Sequence, residues 1–432
     1  MIKALYTSIT GMNTMQNALS VTSNNIANAQ TVGYKKQKAI FDDLLYNNSV
    51  GSSGDGKYAG TNPKSIGNGV KLSGTYTDYS TGSITLTGGA MQAAIEGDGF
   101  FLVGDRNGGN VEYTRKGMFG LSQDYYVATT GGQYVLGYGT KPGTEEIDFS
   151  SSPQPIQIPL GSAIGGIETD KATLSGNLSR DKETITKEFN VYDDEGNTII
   201  LRVEMKQVMK KETDADGNEV EKPVPGEYTY NVSTKAKNDK EFTPLIENKN
   251  LKFDKTGKLI ETDVPVEVDE AGNIIKGGTV DIPFGSGLKL DLSGLTNYPT
   301  ENTIAATGIS GRPAAVATGY VISDGGAIVM TYSNGSMKVA GQLAVATFPN
   351  SGGLMKLGNG NYTATPSAGI PGIGVSGENG AGDVRGGAEE GSNVDLAVEF
   401  VDLMLYQRGF QGNAKVIKVS DEVLNEVVNL IR

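Results

Sequence analysis

The fold is decided by residues 1–45, MIKALYTSITGMNTMQNALSVTSNNIANAQTVGYKKQKAIFDDLL, read together with the opposite end of the chain. Leu5, Ile9, Met12, Leu19 and Ile26 fall on one seam whose spacings alternate between four and three, interrupted by Gln16 and Ser23. That spacing predicts a helix with a coiled-coil-like apolar line. The pattern stops at the turn Asn28-Ala29-Gln30-Thr31-Val32-Gly33.

The other end repeats the device. Val416, Ser420, Val423, Val427 and Leu430 make one seam, and Ile417, Leu424, Val428 and Ile431 make a second beside it. Two adjacent seams give a wide apolar face. A helix of this kind draws most of its stability from burying that face, and the N-terminal helix is the expected partner.

Composition narrows the chemistry. The chain has 432 residues, a formal charge of −13, 60 Gly, 15 Pro, and no Cys, His or Trp. Gly is about twice its usual share, yet without a three-residue period, which reads as turn-rich β structure and not collagen. The acidic balance argues against nucleic acid or an anionic membrane as partner. Without His or Cys there is no Ser-His or Cys-His nucleophile and no imidazole or thiolate metal site, so neither a cofactor nor a metal is expected. No disulfide is available either. The N-terminal apolar residues form a stripe and not a continuous core, unlike a cleaved secretory signal, and no run has the length of a membrane span.

Between the helices the pattern is that of strands. Residues 34–70 lead from Lys35, Lys36 and Lys38 through Phe41 and Leu45 into a Gly-, Ser- and Asn-rich stretch, which reads as a linker arm. Residues 71–148 alternate as strands and turns, and Glu96-Gly97-Asp98-Gly99 reads as a turn, not as a carboxylate pair. Residues 149–299 carry strands joined by a recurring turn: Asp193–Asn197, Asp214–Asn218, Asp254–Lys258 and Asp269–Asn273. A calcium loop fails on spacing, because the position that needs a bidentate Glu, counted from Glu212, is Pro223. Hairpin loops with Gly at a positive-φ position fit instead. Residues 300–365 return to alternation around an Asn334-Gly335 turn, although the stretch from Thr300 to Tyr320 shows none, and 366–391 reads as a second Gly-rich arm.

Two long motifs carry a resemblance. Ser23-Asn24-Asn25-Ile26-Ala27-Asn28 followed by Thr31-Val32-Gly33-Tyr34-Lys35, and Asn393-Val394-Asp395-Leu396 followed by Tyr406-Gln407-Arg408-Gly409, resemble the terminal signatures of bacterial flagellar rod and hook proteins. The resemblance implies a multidomain α+β chain with paired N- and C-terminal coiled-coil-like helices and mainly antiparallel β domains, the outer inserted in the inner. The segments would be 1–33 with 392–432 (inner-tube helices), the arms 34–70 and 366–391, an inner β domain of 71–148 with 300–365, and an inserted outer domain of 149–299. It also implies a non-enzymatic subunit that polymerises through Leu5, Ile9, Met12, Leu19, Ile26, Val416, Val423, Leu424, Val427, Val428 and Ile431. Implied partners are other copies of itself, the hook cap, distal rod and hook-filament junction proteins, and the flagellar type III export apparatus, with no nucleic acid and no membrane insertion. Phe41 to Leu45 resembles that family's export-gate element, and export would leave the N-terminus uncleaved and place the protein outside the cell. Length and the inserted domain favour a hook-type member over the shorter distal rod type. A secreted β-rich adhesin would need no paired terminal seams, and an enzyme would have to depend on carboxylates that do not stand out from the turns.

Overall fold

The structure, a computed structural model, describes all residues except 1, 52, 55, 58, 142, 143, 145, 214–218, 238, 240, 263–265, 269–273, 431 and 432. The turns expected at Asp214–Asn218 and Asp269–Asn273, and Ile431 of the second C-terminal seam, lie outside the described residues. Contacts gather the chain into two units. One takes 1–159, 319–331 and 337–432, and the other takes 160–318 and 332–336. The class is α+β, with two long helices and mainly antiparallel strands among the described residues.

In the first unit, helix α1 (Ile2–Ala27) and helix α2 (Leu396–Leu430) pack together. They run antiparallel, since Gly11 faces Asn413, Met15 faces Gly409 and Asn25 bonds Glu399. Extending that register sets Ile2 opposite Glu422, so among the described residues no turn of α1 lies beside α2 from Val423 onward. Asp395 caps α2, its Oδ1 accepting from the amides of Ala397 (2.9 Å) and Val398 (3.3 Å). These are two of the four amides that a helix start leaves without partners.

The buried line of α1 differs from the apolar seam read in the sequence. Ser8, Gly11, Thr14, Ala18, Thr22 and Asn25 are buried, whereas Ile9 is exposed and Leu5, Met12, Leu19 and Ile26 are only half-buried. The reason is close approach. A Cβ on Gly11 would stand 2.8 Å from the Asn413 side chain, and one on Gly409 would stand 3.2 Å from the Met15 sulfur. Small residues let two helix backbones approach in this way, and a Leu or Ile seam would hold them apart.

The sheet of this unit runs in the order Ala327–Tyr332, Met337–Leu343, Tyr134–Gly139, Phe100–Gly104, Glu112–Thr114, Asn361–Thr363 and Met355–Gly358. The late strand thus returns to the early one, with Gly137 opposite Leu343. Phe100, Leu102, Tyr113, Leu136, Tyr138 and Tyr362 fill its core. The two Gly-rich stretches read as arms are paired strands. Gln37–Asp43 pairs with Val70–Thr77, Asp383–Gly386 with Ala93–Glu96, and Ala388–Glu390 with Ile84–Leu86. Strand pairing needs backbone partners more than large side chains, so a small residue such as Ala388 is buried there without an apolar pattern to announce it.

The second unit contains a five-stranded antiparallel sheet of Thr184–Tyr192, Thr198–Thr213, Glu219–Ala236, Thr243–Phe253 and Leu259–Thr262. It also has a four-stranded sheet in which Lys171–Asn177 pairs with Leu288–Thr296, parallel, and with Ala305–Thr307. That last pairing draws residues beyond 300 into this unit, although their sequence shows no alternation. Leu174, Val191, Leu201, Tyr230, Leu251 and Leu290 are among its core. The two described Asp turns are hairpin loops: Gly196 and Gly257 have φ of +83° and +82°. Asp193 accepts from the Asn197 amide at 2.7 Å, and Asp254 from the Lys258 amide at 2.8 Å.

Candidate functional site

Both ends of the chain meet at a buried polar junction in the first unit. Asn25, 1% exposed, uses its whole side chain. Its Nδ2 donates to the Gln37 carbonyl (2.7 Å) and Glu399 Oε2 (3.0 Å), and its Oδ1 accepts from the Gln37 amide (3.0 Å) and the Tyr34 hydroxyl (3.1 Å). Asn393 does the same from the other terminus, donating to the Asp78 carbonyl at 2.8 Å and accepting from the Lys36 amide at 2.8 Å. An amide can serve here because it donates and accepts at once.

Beneath these lies a charged hub. Lys35 Nζ donates to Glu390 Oε1 at 2.6 Å and to the Ser80 carbonyl at 2.7 Å. Arg115 Nη1 is 3.4 Å from Glu390 Oε2, and its Nη2 donates to the Gly97 carbonyl at 2.7 Å. All three side chains are essentially inaccessible. Burial, and after it the Arg115 guanidinium, push the Lys35 ammonium below the usual lysine range, with Glu390 opposing. Gly33 makes the turn over this hub at φ +69°, and a Cβ there would lie 3.0 Å from the Arg115 carbonyl carbon. The junction can clamp two chain ends together. Among the described residues no group of His, Cys, Asp or Glu could hold a metal ion.

The motif residues of the sequence divide accordingly. Asn24, Asn25, Asn28, Asn393 and Asp395 make the bonds of this junction and the adjacent helix ends. Ile26 and Val394 are half-buried beside them, while Ala27, Leu396, Gln407 and Arg408 are exposed. Phe41 packs edge-on against Tyr406 with ring centroids 6.1 Å apart, and Leu45 is 86% exposed. Sequence reasoning passed over Lys35, Arg115, Glu390 and Glu399 as a set. Their linear signal is a lysine that ends the first motif and a glutamate three residues before Asn393 of the second.

On α2 the side toward α1 is the half-buried line Leu403, Tyr406, Asn413, Ile417 and Ser420. The rest of the helix leaves large apolar side chains in solvent. Phe400, Val401, Met404 and Leu405 lie between 49% and 59% exposed, and Val416, Val423, Val427 and Val428 between 37% and 58%. Exposed apolar area of this extent on one helix marks an interaction surface.

Comparison with known proteins gives four family matches along the chain. Residues 5–35 match the family described as flagella basal body rod protein, and 385–430 match flagellar basal body rod FlgEFG protein C-terminal. Residues 94–175 match the flagellar hook protein FlgE/F/G D1 domain, and 168–311 match the flagellar basal body protein FlaE D2 domain. Curated relatives include the flagellar hook protein FlgE of Borreliella burgdorferi, 31% identical over 452 residues covering 100% of both chains. The flagellar hook protein FlgE of Salmonella typhimurium is 30% identical over 440 residues, covering 98% of each. Among solved structures, the Helicobacter pylori flagellar hook protein FlgE2 aligns with a TM-score of 0.44 and 15% identity over 70% of this chain and 99% of that one.

Proposed function

The chain belongs to the flagellar hook protein family, a structural and non-enzymatic subunit that assembles with copies of itself in the flagellar hook, and from that premise we propose how its parts divide the work. The helices α1 and α2 form the inner wall of the tube. Leu5, Ile9, Met12, Leu19 and Ile26 on α1, and Val416, Val423, Leu424, Val427 and Val428 on α2, are covered by helices of neighbouring copies. The observation that carries this is the exposed apolar row of α2, which runs beyond the reach of α1 from Val423 onward. Such a surface costs free energy in water at about 25 cal/mol per Å², and assembly removes that cost. The β-rich outer parts meet through polar, wet contacts, which can slide as the tube bends while the inner wall stays rigid. The tube then works as a flexible joint passing torque from rod to filament.

The partners at its ends are the distal rod, the hook cap and the hook-filament junction proteins. The subunit leaves the cell through the flagellar type III export apparatus without a cleaved signal peptide and works outside the cell surface, with Phe41 and Leu45 as the export-gate element. The strong exposure of Leu45 supports that reading, since a recognition residue has to be reachable.

The test is a Val427→Asp, Val428→Asp double variant. Both positions are already in solvent, so thermal unfolding of the monomer should be unchanged. Burying two unpaired carboxylates in an assembled wall costs at least about 3 kcal/mol, which raises the critical concentration for tubes about 100-fold. Tubes forming at the wild-type concentration would refute the inner-wall assignment.

A further inference from the structure

A cavity of about 420 Å³ opens beside the junction, lined by Thr31, Tyr34, Lys116, Lys356, Asn359 and Tyr362 among others. It holds two half-buried lysines and no carboxylate in its wall. Lys356 Nζ donates to the Lys35 carbonyl at 3.0 Å and lies 5.0 Å from the centroid of the Tyr34 ring, and among the described residues no carboxylate pairs with it. The nearby acids are committed elsewhere. Glu390 is held by Lys35 and Arg115, Asp78 by Lys36 at 3.6 Å, and Glu399 by Asn25. Glu112, in an adjoining cavity, accepts from Gln133 at 2.7 Å and Asn361 at 2.8 Å. A partly buried cation is costly unless paired, and two of them facing one cavity in a chain of net charge −13 make a local excess of positive charge.

We propose that this cavity is an oxyanion site, in which Lys116 and Lys356 together hold a carboxylate or phosphate group. Two sources supply that chemistry: a free anion from solution, or an Asp or Glu side chain of a neighbouring copy in the assembled tube. Only the second depends on the assembly reading above. An anion in the cavity stabilises the charged form of Lys356, so the lysine should give up its proton at higher pH when the site is filled.

The experiment measures the pH dependence of trace acetylation at Lys356 by mass spectrometry, on the full chain as monomer and as tube. In the monomer, 20 mM phosphate should raise the midpoint by about one unit, a tenfold change in proton affinity, relative to sodium chloride at equal ionic strength. Lys116→Met should remove that shift. A raised midpoint in tubes kept free of added oxyanions would assign the site to a neighbour's carboxylate. A midpoint moved neither by phosphate nor by assembly, or moved equally by chloride, overturns the proposal. Failure to form tubes would count against the assembly reading alone, because the monomer measurement stands without it.

Discussion

Replacing Glu390 by Gln tests whether one carboxylate holds both chain ends. The substitution keeps the shape and leaves Lys35 and Arg115, at 0% and 1% side-chain exposure, without the carboxylate that pairs with both. Breaking a buried ion pair from one side costs about 3–5 kcal/mol. Lys35→Met is the informative contrast. It leaves Arg115 and Glu390 as a one-to-one pair and puts an apolar chain of similar length where the lysine stem was, so it should cost less than half as much. Urea unfolding followed at 222 nm reads the unit that carries both helices. With a slope of about 3 kcal/mol per M, the high end for small proteins, Glu390→Gln should lower the midpoint by about 1–1.7 M. If Lys35→Met lowered the midpoint as far as Glu390→Gln, the carboxylate would not be the hub and the charge argument would be wrong.

Gly33→Ala has to enter the left-handed region at φ +69° against a backbone carbon at 3.0 Å, so it should cost about 2 kcal/mol or more in the same urea assay. Equal midpoints would mean that the turn relaxes freely. Leu45→Asp should cut export of the subunit from cells while purified protein still forms tubes, and unimpaired export would remove Leu45 from the export-gate element. Burial lowers the Lys356 ammonium from the usual 10.5 to about 8, so between those values the unfolded chain binds more protons than the folded one and stability rises with pH. Lys356→Met lacks this dependence. It should be the more stable protein below pH 8, with the gap closing as pH rises towards 10.5, and a gap independent of pH would contradict the burial account.

The sequence by itself determined the terminal helices, the β-rich middle, the hairpin turns at Gly196 and Gly257 and the family. Each of these is written in local spacing or in a contiguous motif. A seam such as Leu5 to Ile26 is a statement about one helix, and it told correctly that α1 is a helix. It could not tell which face that helix buries, because the face is chosen by how closely another backbone approaches. Gly11 against Asn413 and Met15 against Gly409 select the small and polar line of Ser8, Thr14, Ala18 and Thr22. The same limit hid the arms, where Asp383–Gly386 and Ala388–Glu390 owe their strand form to partners near residues 84–96 and not to their own composition. Only the tertiary structure decided the junction. Asn25 meets Glu399 across 374 positions, and Lys35 meets Glu390 across 355. A polar side chain is worth burying only where its partner is already in place, and no periodicity in the chain records that meeting.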